Sequence, residues 1–144
     1  MSRIIYCDTS ALAKWYINES RSDEVEHYLQ LHGPVTISEL TVVEMRCLLA
    51  RRRRDQELTA RLEAEIFAAF QEDIRRRFII CLPLPRELAA GAINLMAILG
   101  DIPVRSLDAM HLVIAKEASA EVLVTADRIM ADAAQALEFE VVRF

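Results

Sequence analysis

Four acidic residues stand where they could do chemistry together. Asp8 ends the apolar run Arg3–Cys7 and is followed by Thr9 and Ser10. Asp127 follows the run VLVT of Val122–Thr125 after a single alanine. Glu44 lies in SELTVVEMRCLLARR and Asp108 in VRSLDAMHLVIA, each near the start of a helical pattern. If these four converge, they repel: two carboxylates about 4 Å apart cost roughly 4 kcal/mol at an effective dielectric near 20. The remedies are protonation or a divalent cation. An all-oxygen set selects hard ions such as Mg²⁺ or Mn²⁺. Such an ion is a Lewis acid that activates water, which suits in-line attack on a phosphodiester. Ser10 and Thr125, each two residues from Asp8 and Asp127 respectively, carry hydroxyls that could orient a carboxylate or a water held by the ion.

Each acid taken alone has a plainer reading. Asp8 and Asp127 are placed to cap the helices that follow them. Thr41 and Glu44 have the spacing of a capping box. Asp108 complements the dipole in the turn after Ser106. The joint pattern, not any single residue, favours a shared site.

The elements that must position these residues alternate. Short, nearly continuous apolar runs at Arg3–Cys7, Val35–Ile37, Phe78–Leu82, Val122–Thr125 and Phe139–Phe144 predict strands buried on both faces, as in a parallel sheet covered by helices. Helical patterns fill the gaps: 11–17, 22–31, 39–53, 57–76, 87–99, 106–118 and 128–137. In the third, Leu40, Val43, Cys47 and Leu48 fall at helical spacing; in the sixth, Leu107, Met110, Ile114 and Ala118 form a stripe. The two long central helices are expected to pair as a hairpin. The alternation predicts an α/β fold, a three-layer α/β/α sandwich with a central, mostly parallel five-stranded sheet. Asp8 and Asp127 then share the carboxyl edge, where open α/β sheets place their sites.

The chain has 144 residues, is 53% hydrophobic and holds only three glycines and four prolines, which suits one domain over residues 1–144. The longest uncharged stretch, Leu88–Gly100, is short of the roughly 20 residues a membrane span needs. Asp8 and Lys14 interrupt any signal-peptide pattern, so a soluble cytoplasmic protein is expected. Cys7, Cys47 and Cys81 are odd in number and lack a CxxC pair, which argues for reduced core thiols. A formal net charge of −5 excludes bulk positive charge as the means of holding nucleic acid. Local basic patches remain at Arg51, Arg52, Arg53 and Arg54 and at Arg75–Arg77. The first is a candidate guide for an RNA backbone.

YCDTSALAKWY, TISELTVVEMRCLLARR, VRSLDAMHLVIAKE and VLVTADRIMADAA resemble, in order and spacing, the motifs of the PIN domain family. The likeness is greatest to VapC-type toxins of toxin–antitoxin pairs and runs over essentially the whole chain. It implies a Mg²⁺- or Mn²⁺-dependent endoribonuclease. Asp8, Glu44, Asp108 and Asp127 match the family's acidic quartet and would hold the metal, with Ser10 or Thr125 assisting by hydrogen bonds. It also implies RNA as substrate, a homodimer, and a cognate antitoxin whose tail covers the acidic pocket. Where the family usually has a glycine before its last strand, this chain has Leu137-Glu138. Asp132, one helical turn beyond Asp127, is a possible helper or substitute. His111, three residues after Asp108, is read as core-facing or hydrogen-bonded rather than as a ligand of a hard ion.

Two other readings compete. A receiver- or phosphatase-like Mg²⁺ domain also gathers acids at strand ends, but Asp8 is followed by Thr-Ser rather than by a second aspartate two residues on. A non-catalytic PIN-like binding module would use the same pocket only to dock a partner.

Overall fold

A computed structural model describes residues 3–144. Five strands form one sheet in the order β3-β2-β1-β4-β5, and every pair is parallel. They are β1 (Ile5–Cys7), β2 (Val35–Ser38), β3 (Ile79–Leu82), β4 (Val122–Thr125) and β5 (Glu140–Arg143). The chain fills one side of β1 with β2 and β3, then crosses to place β4 and β5 on the other. The direction of winding therefore reverses between β1 and β4.

Seven helices connect the strands: α1 (Thr9–Tyr16), α2 (Ser22–His32), α3 (Glu39–Arg54), α4 (Ala60–Arg75), α5 (Leu88–Leu99), α6 (Ser106–Glu117) and α7 (Arg128–Ala136). Strand side chains alternate between the two faces. Ile5, Cys7, Ile37, Val122 and Val124 join residues of α1–α4 in one core. Tyr6 and Leu123 join α5–α7 in the other. The central strands β1, β2 and β4 are wholly buried, whereas the edge strands β3 and β5 are only partly covered. This three-layer, all-parallel arrangement is the one expected from the continuous apolar runs.

The phase of two helices differs from the expectation. In α3 the buried residues are Leu40, Thr41, Met45 and Leu49, while Val43 is 66% exposed and Cys47 is also exposed. Apolar residues adjoin one another at 42–43 and 48–49, so more than one stripe satisfies the helical period. The observed phase buries Met45 and Leu49 and brings Glu44 to the sheet's carboxyl edge. Cys47 is therefore not a core thiol; Cys7 is buried and Cys81 is partly so. In α6, Ala109 and the run His111–Ala115 are buried, but Leu107 is 42% exposed. That helix lies between the sheet and α5, so it is enclosed over more than one stripe.

α3 and α4 pair as a hairpin. Glu63 of α4 receives Arg46 at 3.2 Å and Arg53 at 2.6 Å, both from α3. The final turn is also solved without glycine: Glu138 itself takes the left-handed backbone, with φ of 70°, a conformation uncommon for a side-chain-bearing residue.

Phe70 of α4 is fully buried and meets Tyr16 of α1 edge to face, with ring centroids 5.3 Å apart. Phe70→Ala is expected to cost about 3–5 kcal/mol. The check is a lower urea midpoint at unchanged m-value. Leu31→Ala, at a site 69% exposed, is expected to stay within about 0.5 kcal/mol of the parent.

Candidate active site at the carboxyl edge of the sheet

Asp8 and Asp127 emerge from β1 and β4, the two strands that flank the reversal in winding. Each also caps a helix. Asp8 Oδ1 accepts from the Ala11 backbone N–H at 3.1 Å, and Asp127 Oδ1 from that of Ile129 at 2.9 Å. The capping roles and a shared location are thus compatible. Glu44 does not close a capping box. Thr41 takes that role, accepting from the Ser38 backbone N–H at 3.3 Å, and Glu44 is turned toward α1 and α6.

Asp8 is 4% exposed and heavily hydrogen-bonded. Ser10 Oγ donates to Oδ1 at 2.7 Å and Thr125 Oγ1 to Oδ2 at 2.6 Å. These hydroxyls are themselves oriented. Ser10 Oγ accepts from the Ala126 N–H at 2.8 Å and Thr125 Oγ1 from the Asp127 N–H at 3.0 Å. The loop after β4 therefore aims both hydroxyl protons at Asp8. Burial pushes the Asp8 carboxyl above its ordinary range, and the hydrogen bonds from Thr125, Ser10 and Ala11 offset only part of this.

Glu44, Asp108 and Asp127 line a cleft of about 420 Å³ together with Arg105, Ser106 and Ile129. Burial raises Asp108, and the negative charges of Asp127 and Glu44 raise it further. Burial would also raise Glu44, but hydrogen bonds from His111 and Thr9 help carry it below the ordinary value. Thr9 Oγ1 donates to Glu44 Oε1 at 2.8 Å, and His111 Nε2 meets the same oxygen. Neither Thr9 nor this use of His111 was assigned from sequence. His111 is 2% exposed, as a core-facing residue would be. Its partner Glu44 lies 67 positions away, so no local spacing signals the contact.

Among the described residues, Asp8, Asp108 and Asp127 form no ion pair, and Glu44 pairs only with His111. Elsewhere carboxylates are matched with arginine, as in Glu19–Arg52, Glu63–Arg53 and Glu72–Arg75. Also among the described residues, no three His, Cys, Asp or Glu side chains are grouped closely enough to enclose a metal ion. The donors suit a hard cation in kind, being oxygen throughout and free of ion pairs with arginine or lysine among the described residues, but they are splayed.

The remaining candidates separate from this edge. Asp132 is exposed on α7 and does not line the cleft. Arg52 is engaged by Glu19 at 2.7 Å and Glu57 at 3.2 Å, and Arg53 by Glu63. Arg51 and Arg54 are exposed at the end of α3 and, among the described residues, form no ion pair. Arg75 and Arg76 both bind Glu72.

The shift of Asp108 has a definite sign for stability. Its folded value lies above its unfolded one, so its favourable contribution is complete below the unfolded value. That contribution is lost as pH rises through the folded value. With divalent ions chelated, Asp108→Asn is expected to melt higher than the parent at pH 7, and the gap should close near pH 3. A lower melting temperature at pH 7 would contradict the uncompensated charge.

The same fold recurs in solved proteins. FitAB bound to an IR36 DNA fragment superposes with a TM-score of 0.74 at 20% identity, covering 97% of this chain and 94% of that one. VapC20 of Mycobacterium tuberculosis, described as a sarcin–ricin loop cleaving toxin, gives 0.70 at 18% identity over 90% of this chain and 94% of its own. VapBC2 of Rickettsia felis, bound to a promoter DNA fragment, gives 0.68 at 10% identity over 98% of both. At these identities the likeness is one of fold. Among curated proteins, none matches the sequence significantly. The family model of the PIN domain matches residues 5–136. The chain, with its acids at the carboxyl edge of an all-parallel sheet, belongs to the PIN domain family.

Proposed function

We propose that the protein is a metal-dependent endoribonuclease and the toxin of a type II toxin–antitoxin pair. One observation carries this reading: Glu44, Asp108 and Asp127 border one cleft at the reversal point of the sheet, Asp8 ends the strand beside it, and among the described residues none of the four is paired with a lysine or arginine. The family's general use of divalent ions and the toxins among the structural neighbours support it. Asp8, Glu44, Asp108 and Asp127 are the residues that would hold Mg²⁺ or Mn²⁺. Bound there, such an ion would polarise a scissile phosphate and lower the pKa of an attacking water.

The chain's own contribution is positional. Ser10 and Thr125 keep Asp8 ionisable and fixed inside the fold, while Glu44, Asp108 and Asp127 border the open cleft. Arg105, exposed at the start of α6 and lining that cleft, is placed to meet a phosphate. Arg51 and Arg54 supply free cations further along α3. Such contacts would give affinity without sequence selection.

A cognate antitoxin and a homodimer belong to the same reading. The neighbours FitAB and VapBC2 support the first. The second is supported by Ile93 and Ile98, 66% and 73% exposed on α5. No helix among the described residues is long and apolar enough to cross a membrane; action on RNA in the cytoplasm is part of the proposal.

The purified protein is expected to cleave RNA with Mg²⁺ or Mn²⁺ and to stop when EDTA removes the ion. Asp8→Asn and Asp108→Asn should each lower the rate by about 10² or more, the scale of several kcal/mol of lost charge stabilisation, while remaining folded. Equal rates for parent and variants, or no cleavage by the parent, would favour a binding module instead. Arg51→Gln with Arg54→Gln should weaken RNA binding and reduce the salt slope by about 1.4, at roughly 0.7 per single-strand phosphate. An unchanged slope would remove those arginines from the RNA path.

A further inference from the structure

The two oxygens of Glu44 are held differently. Oε1 accepts from Thr9 Oγ1 at 2.8 Å and also faces His111 Nε2. Among the described residues Oε2 has no hydrogen-bond partner, and no buried polar side-chain atom is left unsatisfied. Oε2 is therefore not buried, on a side chain that lines the cleft. A terminal carboxylate torsion is broad in energy. Two donors on one oxygen fix it and leave the other oxygen presented.

His111 is in turn held from behind. Its Nδ1 lies 2.8 Å from Tyr6 Oη, which lies 2.9 Å from Ser38 Oγ, and all three side chains are buried. An ionised carboxylate only accepts hydrogen bonds, so the ring proton facing Glu44 sits on Nε2. In the neutral ring Nδ1 is then the acceptor of the Tyr6 hydroxyl, and Ser38 donates to Tyr6. The resulting line of donors starts at the end of β2, crosses β1 and α6, and stops at α3.

We propose that His111 is a positioning residue for Glu44: it clamps Oε1 so that Oε2 is offered to a divalent cation in the cleft, while Tyr6 and Ser38 fix the ring's tautomer. The role rests on the metal-dependent reading above and extends it to residues that touch neither ion nor RNA. Partners that orient a ligand in this way commonly change metal affinity by about 10–100-fold when removed.

The test is Mn²⁺ affinity, read from the electron paramagnetic resonance signal of the free ion in the absence of RNA. His111→Ala should bind about tenfold more weakly or worse. His111→Gln, whose amide N–H can reach Glu44, should recover most of the loss. Tyr6→Phe should fall between them. In the parent, ring ¹⁵N shifts should show the proton on Nε2, and Tyr6→Phe should show a tautomer mixture. Melting curves establish that each variant folds; should His111→Ala fail to fold, His111→Gln and Tyr6→Phe decide the matter. Parent-like affinity in His111→Ala, or in Tyr6→Phe with the tautomer unchanged, overturns the positioning role. So does a parent ring protonated on Nδ1 alone. If the parent cleaves RNA while these results hold, only this inference falls. A parent that neither binds Mn²⁺ nor cleaves removes the metal-dependent function and the clamp with it.

Discussion

Mutual repulsion among carboxylates is the constraint on which this structure turns. Asp8, Glu44, Asp108 and Asp127 arrive from four separate segments at one edge of the sheet, and among the described residues none of them forms an ion pair with an arginine or lysine, although Arg105 lines the same cleft. Burial raises Asp8, and burial with neighbouring negative charge raises Asp108. A domain of ordinary, marginal stability tolerates such a concentration of charge only with support elsewhere. That support is visible in two buried apolar layers and in the satisfied hydroxyl network around Asp8.

The sheet's topology makes the gathering possible. All five strands run the same way, so every strand end lies on one edge. The reversal of winding between β1 and β4 opens a gap there, because the connections after those strands depart to opposite faces. α1 leaves toward one face and α7 toward the other, with Asp8 and Asp127 at their starts. α3 and α6 then bring Glu44 and Asp108 from the two covering layers. The basic residues follow another logic. Most bind acids on the surface, and the α3–α4 hairpin is fastened by Arg46 and Arg53 on Glu63.

Much of this was legible in the sequence, for physical reasons. A strand buried on both faces is mostly apolar, so β1 and β4 announce themselves and the aspartates that follow them stand out. The order of the remaining elements followed from the same alternation. Helix phase in α3 was less legible because its apolar residues come in adjacent pairs, and Cys47 and Val43 accordingly fell on the outer face. The pairing of Arg52 and Arg53 depends on Glu19 and Glu63, which no local pattern connects to them. His111, Tyr6 and Ser38 form a line only once three distant segments are in place; its longest link spans 105 positions. Glu138 shows a further limit. The left-handed turn before β5 was required, and a non-glycine residue adopts it.

In the proposed function a small divalent cation makes this acidic edge tolerable. The most direct measurement is a crystal structure of the protein grown with Mn²⁺, with the ion located by its anomalous scattering. A peak is expected at the cleft, with Asp8 or Asp108 and at least one further member of the quartet drawn in to about 2.1 Å, the distance of a hard octahedral ion. A cleft without Mn²⁺ at saturating concentration, the four carboxylates still splayed, would contradict it.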